Sequence, residues 1–453
     1  MDPNGGRVKT DALGNLWSPD RRRSSVATST AADGGCPLRI ALLSYRSKPH
    51  CGGQGGYVRA LSRELVAMGH HVEVLSGPPY PDLDHGPILT RVPSLDLYRE
   101  PDPFRVPRLR EFRSPIDVLE FVLMCTAAFP EPLTFSLRVA RLLRGREHEF
   151  DLVHDNQGLG YGLLRLQWAG MPVVATVHHP ITEDRRHDLR AAVGRKKLST
   201  RRWYSFLRMQ ARVVRRLPAV LTVSQSSRRD IVRDFTVPAE RLTVVPVGVD
   251  VELFRPPSAP RVPGRIVATA SADVPLKGLV PLLEAVAKLR TERDVELMVV
   301  GRPKPGGAAA VAIERFGLAD AVRFVSGLSE AVLVELFGSA EVAVVPSLYE
   351  GFSLPAIETL ACATPLVATT AGALPEVVGP DGVSALHVPP GDPEALAAAI
   401  ARLLDDPELA ARLGAAGRAR VVELYTWRAV ARQTVAWYRA VLATRVHAEA
   451  VPC

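Results

Sequence analysis

The chain has 453 residues, 47% hydrophobic and 23% charged, with a net charge of +8; that length exceeds what one hydrophobic core supports, so two domains are expected. Nine Lys/Arg and no acidic residue fall within 195–216, which leaves the remainder at −1, so the basicity is local and argues against a general nucleic-acid binder. No uncharged apolar run is long enough to span a bilayer, and the five cysteines (Cys36, Cys51, Cys125, Cys362, Cys453) are never spaced CxxC, which argues against a disulfide framework or a zinc site.

Residues 1–36 are polar, contain Arg21-Arg22-Arg23 and are followed by no signal-like apolar stretch. They read as a disordered leader, and the chain as cytoplasmic. Short apolar runs then alternate with amphipathic stretches. RIALLS (Arg39–Ser44), HVEVLS (His71–Ser76), DLVH (Asp151–His154), PVVATV (Pro172–Val177), AVLTVS (Ala219–Ser224) and LTVVPV (Leu242–Val247) read as strands, with a helix over Gly56–Met68. Near-continuous β-branched strands separated by helices are what a parallel sheet covered on both faces requires.

The segment RPPSAPRVPG (Arg255–Gly264) is too proline-rich to extend helix or sheet, and marks a domain boundary that can serve as a hinge. The pattern restarts with RIVATA (Arg265–Ala270), VELMVV (Val295–Val300), VRFVS (Val322–Ser326), EVAVVPS (Glu341–Ser347), PLVAT (Pro365–Thr369) and ALHV (Ala385–Val388). The expectation is an α/β protein of two Rossmann-like, doubly wound domains facing across a cleft at the carboxyl ends of their strands. Its parts are an acceptor-side domain over 37–255, a linker over 256–264, a donor domain over 265–425 and a bracing helix over 426–447. That helix, Trp427–Val446, carries Trp427, Val430, Val435, Tyr438, Val441 and Leu442 on one face and would cross back to the first domain.

EGFSLPAIE (Glu350–Glu358) directly follows the strand EVAVVPS. Gly351 allows close backbone approach, Ser353 is a good N-cap and Pro355 suits the first helical turn. The amides of Phe352, Ser353 and Leu354 would then face a ligand at a helix N-terminus, a natural phosphate site. Glu350 and Glu358 bracket that site; carboxylates are poor phosphate ligands and good hydroxyl acceptors, so they suit sugar and ribose.

On this motif the chain resembles a family 4 glycosyltransferase, retaining and of the GT-B fold, over about residues 38–445. The resemblance implies that Glu350 contacts the transferred sugar, that Glu358 binds the ribose hydroxyls, and that the amides of Phe352, Ser353 and Leu354 meet sugar and diphosphate. It implies that Lys277, in ADVPLKG, neutralises the diphosphate. An arginine expected before that lysine is replaced by Ser271, Ala272 and Asp273; Arg302, after VELMVV, is the candidate substitute. Ser326, Gly327 and Leu328 sit where the family binds the nucleobase, and Glu376 in GALPEVV is a structural candidate.

In the first half, Gly52 and Gly53 of CGGQGGYV follow strand one without GxGxxG spacing, so a dinucleotide cofactor is not expected. The resemblance implies instead a loop that approaches donor phosphate and acceptor. It also implies that His178, the first histidine of TVHHP, contacts the donor sugar. His179, with His154 and Asn156 at the preceding strand's end, are candidates for the acceptor side. No DxD pair stands in a suitable loop, so neither metal nor cofactor is expected, the co-substrate being a UDP- or GDP-type sugar and the acceptor a hydroxyl on a lipid, glycan or small metabolite. An epimerase or hydrolase on the same fold, or a silent sugar-nucleotide binder, are the alternatives. The basic helix over 196–217, with Trp203, Phe206, Leu207, Val213, Val214 and Leu217 on one stripe, can either lie on an anionic membrane or pack on the sheet; Ile116–Leu143 is a second place for an acceptor pocket or lipid contact.

Overall fold

The computed structural model describes residues 36–47, 53–270 and 274–449. Nearly all of the leader, Gly52, and the Ser271–Asp273 positions lie outside the described residues. The contacts divide the chain into two units. The first holds residues up to Thr222, Arg228–Val245 and everything from Val435; the second holds Val223–Ser227 and Pro246–Thr434.

The first unit runs β1 (Arg39–Ser44), α1 (Gly53–Ala67), β2 (His71–Ser76), β3 (Ile88–Arg91), α2 (Pro115–Cys125), α3 (Glu131–Leu142), β4 (Leu152–Asn156), α4 (Gly162–Trp168) and β5 (Val173–Val177). It continues through α5 (Thr182–Ala191), α6 (Arg195–Trp203), α7 (Phe206–Val214), β6 (Val220–Thr222), α8 (Gln225–Phe235) and β7 (Leu242–Val244). Its seven strands pair in the order β3-β2-β1-β4-β5-β6-β7, all parallel. The switch point, where chain order reverses, lies between β1 and β4.

The second unit runs β8 (Val262–Thr269), α9 (Leu279–Leu289), β9 (Glu296–Val300), α10 (Ala308–Phe316), β10 (Val322–Val325), α11 (Glu330–Ser339), β11 (Ala340–Val345) and α12 (Leu354–Ala361). Then come β12 (Leu366–Thr369), α13 (Leu374–Val378), β13 (Leu386–Val388), α14 (Pro393–Asp405) and α15 (Pro407–Leu424); α16 (Trp427–Glu449) starts in this unit and from Val435 belongs to the first. Its sheet is parallel, ordered β10-β9-β8-β11-β12-β13. Successive residues show the double winding: Ile266 and Ala268 of β8, with Val342 and Val344 of β11, enter the core under α9 and α14. Val267, Ala343 and Val345 enter the opposite core with α12 and α13. A strand buried on both faces has no polar side to spare, which is why it reads as an unbroken apolar run.

Three expectations change. Strand β8 begins at Val262, inside the proline-rich segment. A strand unread in the sequence, β3, adds an edge to the first sheet; ILTR is too short and mixed to show a period. The third is the basic helix, which is two helices, α6 and α7. Phe206, Leu207, Met209, Val213, Val214 and Leu217 are all in the first core. Trp203 stacks among Phe129 and Tyr98, ring centroids 5.1 and 5.7 Å away. Buried in that core, these side chains are not available to a bilayer in this fold. The stripe is core. No helix of the described residues is long and apolar enough to cross a membrane.

Candidate active site

In the second unit the candidate residues gather along one edge of the sheet, at the carboxyl ends of β8, β9, β10 and β11. Their order β10-β9-β8-β11 spreads them over about 14 Å at the usual strand spacing. The turn after β8 places Lys277. Gly278 adopts φ 66°, and a Cβ there would lie 1.9 Å from the Pro346 carbonyl, so only glycine allows the turn to nest against the end of β11. The Leu348 amide donates to the Leu276 carbonyl at 2.7 Å, lacing the two loops together. Lys277 Nζ thereby reaches Glu350 Oε1 at 2.7 Å, and Ser347 Oγ donates to the same oxygen at 2.8 Å.

The backbone of Glu350 is held as tightly. Its carbonyl accepts the Ala373 amide at 2.9 Å. A Cβ on Gly372, at φ 57°, would stand 2.2 Å from that carbonyl. Ser353 caps α12, its Oγ accepting the Ala356 amide at 3.4 Å. The amides of Phe352, Ser353 and Leu354 have no acceptor among the described residues, which is the orphan state of a helix start that an anion can fill. The half-buried Glu358 carboxyl is raised to about 7 by burial, with the charge of Glu330 adding to the effect.

Arg302 is exposed and its Nε donates to Ser326 Oγ at 2.8 Å. It therefore belongs to the loop pair after β9 and β10, with Ser326, Gly327 and Leu328, and among the described residues no hydrogen bond joins it to the Lys277 turn. Sequence reading missed a support behind these loops. Ser224 and Ser227 both donate to the Gly351 carbonyl, at 2.5 and 3.0 Å. The Glu376 carboxylate accepts the Gln225 and Ser226 amides at 3.1 and 3.3 Å, capping α8. The signal available was the Ser-Gln-Ser-Ser run opening a basic helix, a capping pattern.

In the first unit, His178 directly follows β5. Its Nε2 meets Asn156 Oδ1 at 2.8 Å, its amide donates to Gln157 Oε1 at 2.7 Å, and Tyr57 of α1 packs edge-on at 4.8 Å. Burial, with a smaller push from His179, lowers the His178 ring to about 3, so it is neutral at working pH. His154 is fully buried, its ring bonded to Tyr438 of α16 and, at 2.7 Å, to Thr176 Oγ1. Burial lowers it to about 3 as well. Both nitrogens are used internally, so His154 braces β4 and β5 and α16. His179 stands nearer solvent, 3.9 Å from Asp184, and Gly53 is exposed at the start of α1. On the same unit a cavity of about 680 Å³, lined by Arg91, Arg113, Ile116, Asp117, Arg138 and Arg141, opens beside β3. It lies in the neighbourhood of Ile116–Leu143, where a pocket was expected.

Comparison with known proteins adds to this geometry. Residues 51–253 match the model "Glycosyltransferase Family 4", and residues 250–420 match "Glycosyl transferases group 1". A protein of Mycolicibacterium hassiacum named MMP alpha-(1->4)-mannosyltransferase is 58% identical, over 90% of this chain and 99% of its own. The D-inositol 3-phosphate glycosyltransferase of Streptomyces coelicolor is 28% identical over 93% of this chain and 95% of its own. Among solved structures, sucrose-phosphate synthase from Thermosynechococcus elongatus superposes with a TM-score of 0.65 at 26% identity, covering 90% of this chain and all of that one. Anabaena Alr3699/HepE in complex with UDP-glucose gives 0.63 at 18% identity, covering 89% and 100%, and speaks for the fold alone.

Proposed function

Because the chain belongs to the family 4 glycosyltransferases, enzymes that draw on nucleotide sugars, we propose that it transfers an α-mannosyl residue from a UDP- or GDP-type mannose to the 4-hydroxyl of a sugar acceptor, with retention. The mannosyl group and the linkage rest on the 58% identical relative. The observation that carries the chemistry is one cluster: the Lys277–Glu350 pair, the orphan amides of Phe352, Ser353 and Leu354, and Glu358 beyond them.

In this reading the diphosphate lies against the helix start with Lys277 as its counter-charge, and Glu358 accepts the ribose hydroxyls. Glu350, tethered by Lys277 and Ser347, offers its second oxygen to a hydroxyl of the transferred sugar. Charge develops on the departing phosphate oxygen, and fixed amides and an ammonium stabilise it without reorganisation. The acceptor oxygen attacks the anomeric carbon from the face the diphosphate leaves. The new C–O bond forms as the old one breaks, and the hydroxyl proton passes to the departing phosphate oxygen. Lys277 and the helix start supply the positive charge that a metal would otherwise bring, so we propose that transfer is metal-independent. His178, neutral with Nε2 donating to Asn156, keeps Nδ1 as an acceptor for a sugar hydroxyl.

The arginine-lined cavity beside β3 suits part of a multi-hydroxyl acceptor. The arginines of α6 leave a basic surface, and with the apolar stripe buried any membrane attachment would be electrostatic. The test is incubation with UDP- and GDP-mannose and a mannoside bearing a free 4-hydroxyl, its 4-deoxy analogue as control. An α-(1→4) product confirms the reading. A β product, or nucleotide release without transfer, overturns it in favour of an inverting or hydrolytic enzyme.

A further inference from the structure

The Gly351 carbonyl is buried beneath the donor loop and accepts two hydroxyl hydrogen bonds, from Ser224 Oγ at 2.5 Å and Ser227 Oγ at 3.0 Å. Both serines are buried. The Ser227 amide donates to Ser224 Oγ at 2.9 Å, so the first hydroxyl has its acceptor side filled and its proton directed at Gly351. The two serines cannot drift, because Glu376 holds the intervening amides of Gln225 and Ser226. Glu376 is itself pinned: Arg420 Nη2 donates to its carbonyl at 2.7 Å and Tyr425 OH to the same oxygen at 3.3 Å.

A trans peptide is planar, with its C=O and the following N–H pointing in opposite directions. Fixing the Gly351 oxygen toward the serines therefore fixes the Phe352 N–H away from them, toward the open side of the loop. That amide has no acceptor among the described residues. Both lone pairs of the carbonyl are engaged, and hydrogen bonding at one end of a peptide polarises it and strengthens the donor at the other.

We propose that Ser224 and Ser227 are positioning residues that set both the direction and the donor strength of the Phe352 amide toward the diphosphate. This rests on the donor site proposed above and adds residues outside the EGFSLPAIE motif to its machinery. The effect belongs to the phosphates and not to the nucleoside, which gives it a readout that loosened packing would not share.

The experiment titrates UDP and GDP, with uridine and guanosine as controls, into the full chain and into Ser224→Ala, Ser227→Ala and the double variant. Loss of one neutral hydrogen bond from the relay is expected to weaken diphosphate binding roughly threefold and loss of both about tenfold, with nucleoside affinity and Tm little changed. The Phe352 amide proton should also move upfield in Ser224→Ala, the milder variant, which covers the case in which the double variant fails to fold. Equal loss of nucleoside and diphosphate affinity, or unchanged diphosphate affinity with an unmoved Phe352 amide, overturns the inference. Failure of the unaltered chain to bind either diphosphate overturns the donor-site reading itself.

Discussion

Lys277 Nζ donates to Glu350 Oε1 at 2.7 Å, joining the turn after β8 to the loop after β11 across the switch point of the second sheet. The lysine side chain is 32% exposed and the glutamate 9%, so the cation keeps an open side while the anion does not. Removing Lys277 would strand a buried carboxylate and, in the proposed site, deprive the diphosphate of its counter-charge. We expect Lys277→Ala to lower kcat/KM by about 10–100-fold, the worth of one charged hydrogen bond, and to lower Tm as well. Lys277→Arg should recover part of both. Undiminished turnover in the alanine variant would remove Lys277 from the mechanism.

In the proposed donor site, Glu358 should make donor binding pH-dependent. Its folded value of about 7 stands above the ordinary 4.5. For an acid raised in this way, the stabilising contribution is complete below pH 4.5 and is lost as pH rises through 7. The free protein should therefore lose stability over that window, while nucleotide-sugar affinity rises, because the ionised carboxylate is the better hydroxyl acceptor. Glu358→Gln should flatten both trends. A calorimetric series from pH 5.5 to 8.5 decides it, and an unchanged slope in the variant would refute the assignment.

His178 is expected to work as a neutral ring. With its value lowered to about 3 by burial, the pH–rate profile should show no limb belonging to this histidine near neutrality. His178→Ala should lower kcat through loss of a hydrogen bond and leave the profile's shape alone. If the substitution abolished an acidic limb near the ordinary histidine value, a protonated His178 would be required instead.

The cavity beside β3 offers a fourth measurement. Arg113 and Arg141 line it with exposed side chains, far from the donor-site residues in sequence and in a different unit. Arg113→Glu with Arg141→Glu should raise the KM for a long acceptor by roughly tenfold, the effect of losing one or two hydrogen bonds to charged groups, and leave donor KM and Tm unchanged. Equal effects on short and long acceptors would argue against a remote subsite.

Metal dependence can be read directly. If Lys277 and the amides after Gly351 hold the diphosphate as proposed, transfer should persist in excess chelator. Full loss with chelator, restored by magnesium, would show that the ammonium and helix start are insufficient.

Much of this molecule was legible before its structure. Strands buried on both faces must be continuously apolar, so β1, β2, β4, β5 and the six strands of the second sheet announced themselves within a residue or three. Glu350, Gly351, Ser353 and Glu358 were readable because a cap, a first-turn proline and a close-approach glycine are local demands of one helix start. β3 was not legible, since four mixed residues at a sheet edge carry no period. The basic stretch left two readings open because a helical stripe looks alike whether it faces a sheet or a bilayer; burial of Phe206 and Leu207 resolved it.

By itself the sequence determined the two doubly wound halves and the helix start after β11, because these follow from spacings within a few residues. The tertiary structure alone decided which distant groups meet. It joined Lys277 to Glu350, tied Arg302 to Ser326, enclosed His154 between Thr176 and Tyr438, and put Ser224 and Ser227 under Gly351. Hydrogen bonds act over about 3 Å, whereas these partners stand tens to hundreds of residues apart along the chain, a distance that only packing of the sheets and helices can close.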